Sequence, residues 1–141
     1  RDTLRLEAAM PLYGHELSEQ INPIEAGLSF ACNLEGRSFI GDESLREIAA
    51  KGPKRRRVGL LFDGKRPVRE GCAVLDSNDK PVGIVTSGTP SPTLGRPIAM
   101  ALVNSDVIDS TTGLSLGELR IDNRGTPQPA QTTALPFYKS P

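Results

Sequence analysis

The 141 residues carry 17 Lys and Arg against 17 Asp and Glu, so no net field draws the chain toward nucleic acid or an anionic membrane. No apolar run reaches the ~18 residues of a membrane-spanning helix, and a length of this order fits one domain, or one domain and a piece of another. Fourteen Gly and twelve Pro favour many turns over long helices. The two cysteines, Cys32 and Cys72, lack metal-type spacing and leave either a disulfide or, as the preferred reading, two buried thiols.

The chain opens on a short helix, Arg1 to Met10, with Leu4 and Ala8 on one face and Arg1 and Arg5 on a charged flank. Pro11 stops it, because its ring clashes with the preceding turn and it has no N–H to donate. Tyr13-Gly14-His15-Glu16 then forms a polar bend between Leu12 and Leu17, either a surface loop or the wall of a site. Pro23 suits the first turn of a helical stretch that Gly27 weakens, and Leu28 to Leu34 reads as a strand with Phe30 and Cys32 on one face. Phe39 to Pro53 contains the clearest helix. Asp42 is its expected N-cap, Leu45, Ile48 and Ala49 its buried stripe, and Gly52-Pro53 its stop.

From Lys54 the texture changes to strand and turn. Val58–Phe62, Gly71–Leu75, Val82–Thr86 and Ile98–Val103 read as strands. Asp63-Gly64 is a hairpin signal, since Gly accepts positive φ. Gly83 marks a bulge or a close approach. Ser87 to Pro97 reads as a loop, Ile98–Val103 as a central strand apolar on both faces, Leu119–Asp122 as a further strand, and Thr126–Leu135 as an edge strand at best because of Pro127 and Pro129. Short strands at this spacing suggest a closed barrel or jelly roll.

Six ordered pieces carry a resemblance: Arg1-Asp-Thr-Leu-Arg-Leu-Glu7, Leu12-Tyr-Gly-His-Glu-Leu17, Asn22-Pro-Ile-Glu-Ala-Gly-Leu28, Arg55-Arg-Arg-Val-Gly-Leu60, Val85-Thr-Ser-Gly-Thr-Pro-Ser-Pro92 and Leu135-Pro-Phe-Tyr138. Together they resemble the aminomethyltransferase, or T-protein, of the glycine cleavage system. In that family such pieces form the last part of a longer polypeptide. The resemblance implies a mainly β chain: a Greek-key or jelly-roll-like β-barrel over residues 53–141, preceded by a short α+β remnant of the folate-binding domain over residues 1–52. It implies tetrahydrofolate as cosubstrate, no metal, and the lipoyl-carrying H-protein as partner, with no nucleic acid and no membrane. The compartment implied is the cytoplasm for a bacterium or the mitochondrial matrix for a eukaryote. The family's catalytic Asp belongs upstream of these residues, so the resemblance assigns no catalytic residue here and implies that the chain alone is inactive.

The same resemblance names Arg1, Tyr13 and Phe30 as folate-binding. A guanidinium can hold the folate carboxylate bidentately, and aromatic walls suit a flat pterin. The residues by themselves equally allow a frayed terminal Arg1 and core packing for Tyr13 and Phe30. His15, the one histidine, cannot build a multi-His metal site and reads as a turn residue bonded to neighbouring backbone. Ser87 to Pro92 lacks the Lys-Ser/Thr of a phosphate loop and reads as structural, a strand-to-loop segment at a domain junction. Lys51, Lys54, Arg55, Arg56 and Arg57 read as a solvated linker or as a docking site for an acidic partner. Two further readings stay open: the matching region of a dimethylglycine or sarcosine dehydrogenase-type flavoprotein, and a non-enzymatic barrel that binds a protein or RNA through Lys54–Arg57.

Overall fold

Strand-forming sequence after Lys54 folds into six antiparallel strands that close on themselves. The computed structural model describes residues 2–28, 40–109 and 114–137. The strands are β1 (Arg55–Leu61), β2 (Ala73–Leu75), β3 (Pro81–Ser91), β4 (Arg96–Asn104), β5 (Leu119–Asn123) and β6 (Thr126–Thr133). Their order round the barrel is β1-β4-β3-β2-β5-β6, with β6 returning to β1. Hairpins join β2, β3 and β4 in series, while β1 lies beside β4, which is a Greek-key arrangement. Among the described residues, two α-helices precede the barrel, α1 (Asp2–Glu7) and α2 (Asp42–Lys51).

Strand β4 explains the barrel's position in the molecule. Side chains alternate between the faces of a strand, and in β4 both sets are apolar. Ala99, Ala101 and Val103 point into the barrel with Val58, Leu60, Val74 and Ile121. Ile98 and Met100 face outward, where Leu6 and Ala9 of the N-terminal segment and Leu135 and Phe137 of the tail cover them. The expected central strand is therefore buried on both sides, between β1 and β3.

Several sequence expectations change. In α1 Leu6 and Glu7 are buried, while Leu4 is 72% exposed and Ala8 is exposed too. Asp42 is the first residue of α2, not its cap. That place belongs to Gly41, and the Asp42 carboxylate instead accepts from Glu43 N–H and from Arg46 Nη1, both at 2.9 Å. Leu45 and Ile48 are only half-buried and Ala49 is exposed. Asp63-Gly64 does not close a hairpin, since β1 pairs with β4 and β6. The turn starts a longer connection whose Val68 is buried in the barrel interior. Ser87 to Pro97 is not a loop: β3 continues to Ser91 and β4 begins at Arg96. Thr126–Thr133 is not an edge strand, because it seals the barrel. Its prolines pair opposite β5, and the proline-free end, Gln131–Thr133, pairs with β1. Being two residues apart, the prolines share one edge, so both missing N–H groups can fall where β1 does not reach. Cys72 is half-buried against the barrel core. Cys32 and the expected strand beyond Leu28 lie outside the described residues.

Gly83 and Gly88 carry the closest approaches. A Cβ on Gly83 would stand 2.5 Å from the Leu102 carbonyl oxygen, and one on Gly88 only 1.9 Å from that of Val68. Backbone cannot yield as a flexible side chain does. Gly88→Ala is expected to destabilise the fold by about 1–3 kcal/mol or more, read as a lower urea midpoint at unchanged slope.

Candidate functional site

The polar bend is tied to the barrel through one carboxylate. Glu16 is 2% exposed, and both its oxygens are fully occupied. Its Oε2 accepts from Arg5 Nη1 at 3.1 Å and from Leu12 N–H at 3.0 Å. Its Oε1 accepts from Thr86 Oγ1 at 2.8 Å and from Ser87 Oγ. Arg5 Nη2 donates to Ser87 Oγ at 3.0 Å, which closes a triangle between α1, the bend and β3. A buried charge persists only when paired and hydrogen-bonded, and this one is both.

Two consecutive strand residues ordinarily point to opposite faces, yet Thr86 and Ser87 reach the same carboxylate. A β-bulge explains it. The β3–β4 register shifts between Val85 and Ser87, so Val85 faces Ala101 and Ser87 faces Met100. The extra residue re-aims the side chains. The single Thr86 hydroxyl proton is shared between Glu16 Oε1 and Met100 O, which lies at 3.0 Å.

His15 sits beside this cluster. Its Nδ1 lies 2.8 Å from Glu70 Oε2 and 3.3 Å from the Thr86 carbonyl. Its backbone N–H donates to Leu12 O at 3.0 Å, the turn bonding expected of it, while the ring reaches groups distant in sequence. A cavity of about 410 Å³ opens here, lined by Arg5, His15, Arg69, Glu70, Ser87 and Gly88.

Within the basic run, Lys51 and Lys54 are exposed, as a solvated linker would be, but Arg55 and Arg57 are tied into the protein. Arg55 Nε binds Glu25 Oε2 at 2.7 Å, and its Nη2 donates to Gln20 O at 2.7 Å. Arg57 Nη1 donates to Ala9 O at 2.6 Å. Burial lowers the pKa of Arg57, and the field of Glu16 partly opposes this. Both side chains fasten the N-terminal segment to β1.

Of the expected folate residues, Arg1 and Phe30 lie outside the described residues. Tyr13 is described and stands out from the bend at 71% exposure, so core packing does not account for it. The residues sequence reasoning missed are Arg5, Glu16, Thr86 and Ser87. Their signal was present: Thr86-Ser87 is a polar pair that ends the apolar run Val82–Val85. Among the described residues no group of three or more His, Cys, Asp or Glu is placed to hold a metal, and no helix is long and apolar enough to cross a membrane.

Residues 55–139 match the glycine cleavage T-protein C-terminal barrel domain. The chain belongs to that family. It is 47% identical over 140 residues to an aminomethyltransferase of Saccharopolyspora erythraea, covering 99% of this chain and 37% of that protein. It is 48% identical to the aminomethyltransferase of Corynebacterium aurimucosum, covering 99% and 36%. The crystal structure of glycine cleavage system aminomethyltransferase T from Bartonella henselae superposes with a TM-score of 0.86 at 32% identity, over 97% of this chain and 37% of that one. The chain thus spans little more than a third of the relatives it matches. The T-protein barrel expected from the six motifs is the fold observed.

Removing the Glu16 charge takes a carboxylate away from Arg5 Nη1, which it meets at 3.1 Å. Glu16→Gln is expected to cost about 3–5 kcal/mol and Thr86→Val about 1 kcal/mol, both measured by urea unfolding. In a double-mutant cycle, Arg5 and Glu16 substitutions are expected to be non-additive by more than about 0.5 kcal/mol.

Proposed function

We propose that the chain is the barrel-bearing portion of a tetrahydrofolate-dependent aminomethyltransferase. In the whole enzyme, an aminomethyl group held on the lipoyl arm of the H-protein passes to tetrahydrofolate. The products are methylene-tetrahydrofolate, ammonia and the dihydrolipoyl protein. The observation that carries this reading is identity near 47% to aminomethyltransferases along almost the whole chain.

In this reading the chain binds and positions, and the reacting acid–base group comes from elsewhere in the enzyme. Tyr13 is the described residue that fits a folate: an uncovered aromatic ring on a bend whose backbone Glu16 and Arg5 hold still. A ring pre-set in this way loses little entropy when a flat pterin lands on it. Arg1 would hold the folate carboxylate and Phe30 would add a second aromatic wall. Residues 1–52 would belong with the folate-binding domain and residues 53–141 would form the barrel that braces it. The family match beginning at residue 55 supports that division.

Two measurements check the reading. The chain alone, given aminomethylated H-protein and tetrahydrofolate, is expected to form no methylene-tetrahydrofolate; turnover would overturn the assignment of catalysis to other residues. In a full-length enzyme carrying these residues, Tyr13→Ala is expected to weaken folate binding about tenfold, the loss of one stacking contact of about 1–1.5 kcal/mol. Its melting temperature should stay unchanged, because the ring touches little of the fold. Unaltered folate affinity would remove Tyr13 from the site.

A further inference from the structure

The bend that carries Tyr13 is clipped to the rest of the protein at two points. Glu16 holds its base, through Leu12 N–H at 3.0 Å and through Arg5 and Thr86. The tip is held by less. Gly14 takes a φ of 94°, which glycine adopts without steric cost, and its N–H donates to Leu17 O at 2.7 Å within the bend. Among the described residues, the hydrogen bonds that lead from Tyr13, Gly14 and His15 to another element all come from the His15 imidazole.

That ring is fixed at one nitrogen. Nδ1 faces two acceptors, Glu70 Oε2 at 2.8 Å and Thr86 O at 3.3 Å. Two acceptors and no donor call for a proton on Nδ1 in either charge state of the ring. The proton lost as pH rises is therefore the one on Nε2, which makes no hydrogen bond among the described residues. Deprotonation leaves the hydrogen bond to Glu70 in place and removes its charge assistance. Two other charges line the same cavity, Arg5 of α1 and Arg69 of the β1–β2 connection. Arg5 is met by Glu16, so Arg69 is the cation that opposes a charged imidazole and Glu70 the anion that favours it.

On the reading of Tyr13 as a folate-stacking residue, we propose that Glu70 is a positioning residue for folate. Through His15 it holds the tip of the Tyr13 bend against the β1–β2 connection, most firmly while the imidazole is charged. Glu70 acts without touching the ligand: a tip held in one place gives up less freedom when a pterin lands on it. The pair is partly exposed, 34% at the His15 side chain and 54% at Glu70, so its hold is modest and adjustable. Folate affinity is expected to fall about two- to fivefold as pH rises through the range in which imidazoles lose their charge, about pH 5–8.

Glu70→Gln keeps an acceptor for Nδ1 and removes the charge. In the 141-residue chain, the backbone amide order parameters of Tyr13 and Gly14 are expected to fall between about pH 5.5 and about pH 8, and to be low at both values in Glu70→Gln. His15 is the one histidine, so its imidazole signal shows that this ring is the group titrating. In a full-length enzyme carrying these residues, Glu70→Gln is expected to weaken binding of folinate, a stable tetrahydrofolate, about two- to fivefold at about pH 5.5 and not at about pH 8. It is expected to add nothing to Tyr13→Ala, because both act through one ring. Order parameters that respond as expected, beside a Tyr13→Ala enzyme that binds as tightly as wild type, would place the failure in the Tyr13 reading. Order parameters that do not respond would overturn the positioning role of Glu70. So would Glu70→Gln affinity equal to wild type beside a weakened Tyr13→Ala, or equal weakening at both pH values.

Discussion

The structure depends on a charge that water does not reach. The Glu16 carboxylate lies where a helix, a bend and a strand meet, and it ties the helix and the bend to the strand. Arg5 comes from α1, the Leu12 N–H from the bend, and the hydroxyls of Thr86 and Ser87 from β3. Such an arrangement adds little net stability over an apolar substitute. It sets direction instead. Apolar contacts between Leu6, Ile98 and Met100 would tolerate sliding of the segment over the barrel, whereas four hydrogen bonds to two oxygens tolerate almost none. The bulge at Thr86 belongs to the same device, since without it one of the two hydroxyls would face away.

Arginines repeat this logic along β1. Arg55 grips Glu25 and the Gln20 carbonyl, and Arg57 grips the Ala9 carbonyl. One barrel strand thereby holds two separate stretches of the N-terminal segment. The tail adds a third layer: Leu135 and Phe137 sit over Gly59, where a Cβ would come within 2.7 Å of Leu135 Cδ2. The outer wall of β1 and β4 is thus a docking face for both ends of the chain. This accounts for β4 being apolar on both sides, although only one side faces the barrel interior.

The barrel was legible in the sequence because alternation and turn residues are local signals. Ile98–Val103 declared itself central by having no polar face, and Leu119–Asp122 by clean alternation. What was not legible depended on partners far along the chain. Asp63-Gly64 has hairpin chemistry, but whether a turn closes a hairpin is decided by which strand arrives beside it, and here β4 took that place. Pro127 and Pro129 argued for an edge, and only the position of β1 shows how a proline-bearing strand can seal a barrel. Arg55 and Arg57 looked like part of a solvated run because charge alone does not reveal the carbonyls and the carboxylate waiting for them. At the site, the six motifs pointed to the family and to the bend, and Tyr13 stands on it. Glu16 was quoted within that bend without a role, because its role lies with Thr86 and Ser87, seventy residues away.

The placement of Leu135 and Phe137 over Gly59 bears on how the polypeptide acquires its shape during synthesis. β1 receives one neighbour from β4, but its other side waits for Gln131–Thr133, and its outer wall waits for residues 135 and 137. The barrel must therefore idle, incompletely zipped, until residues 131–137 have been made. Long-range closures of this kind are slow and leave strand edges bare in the interval. A ribosome that stalled before residue 131 would hold a chain whose β1 had only β4 beside it.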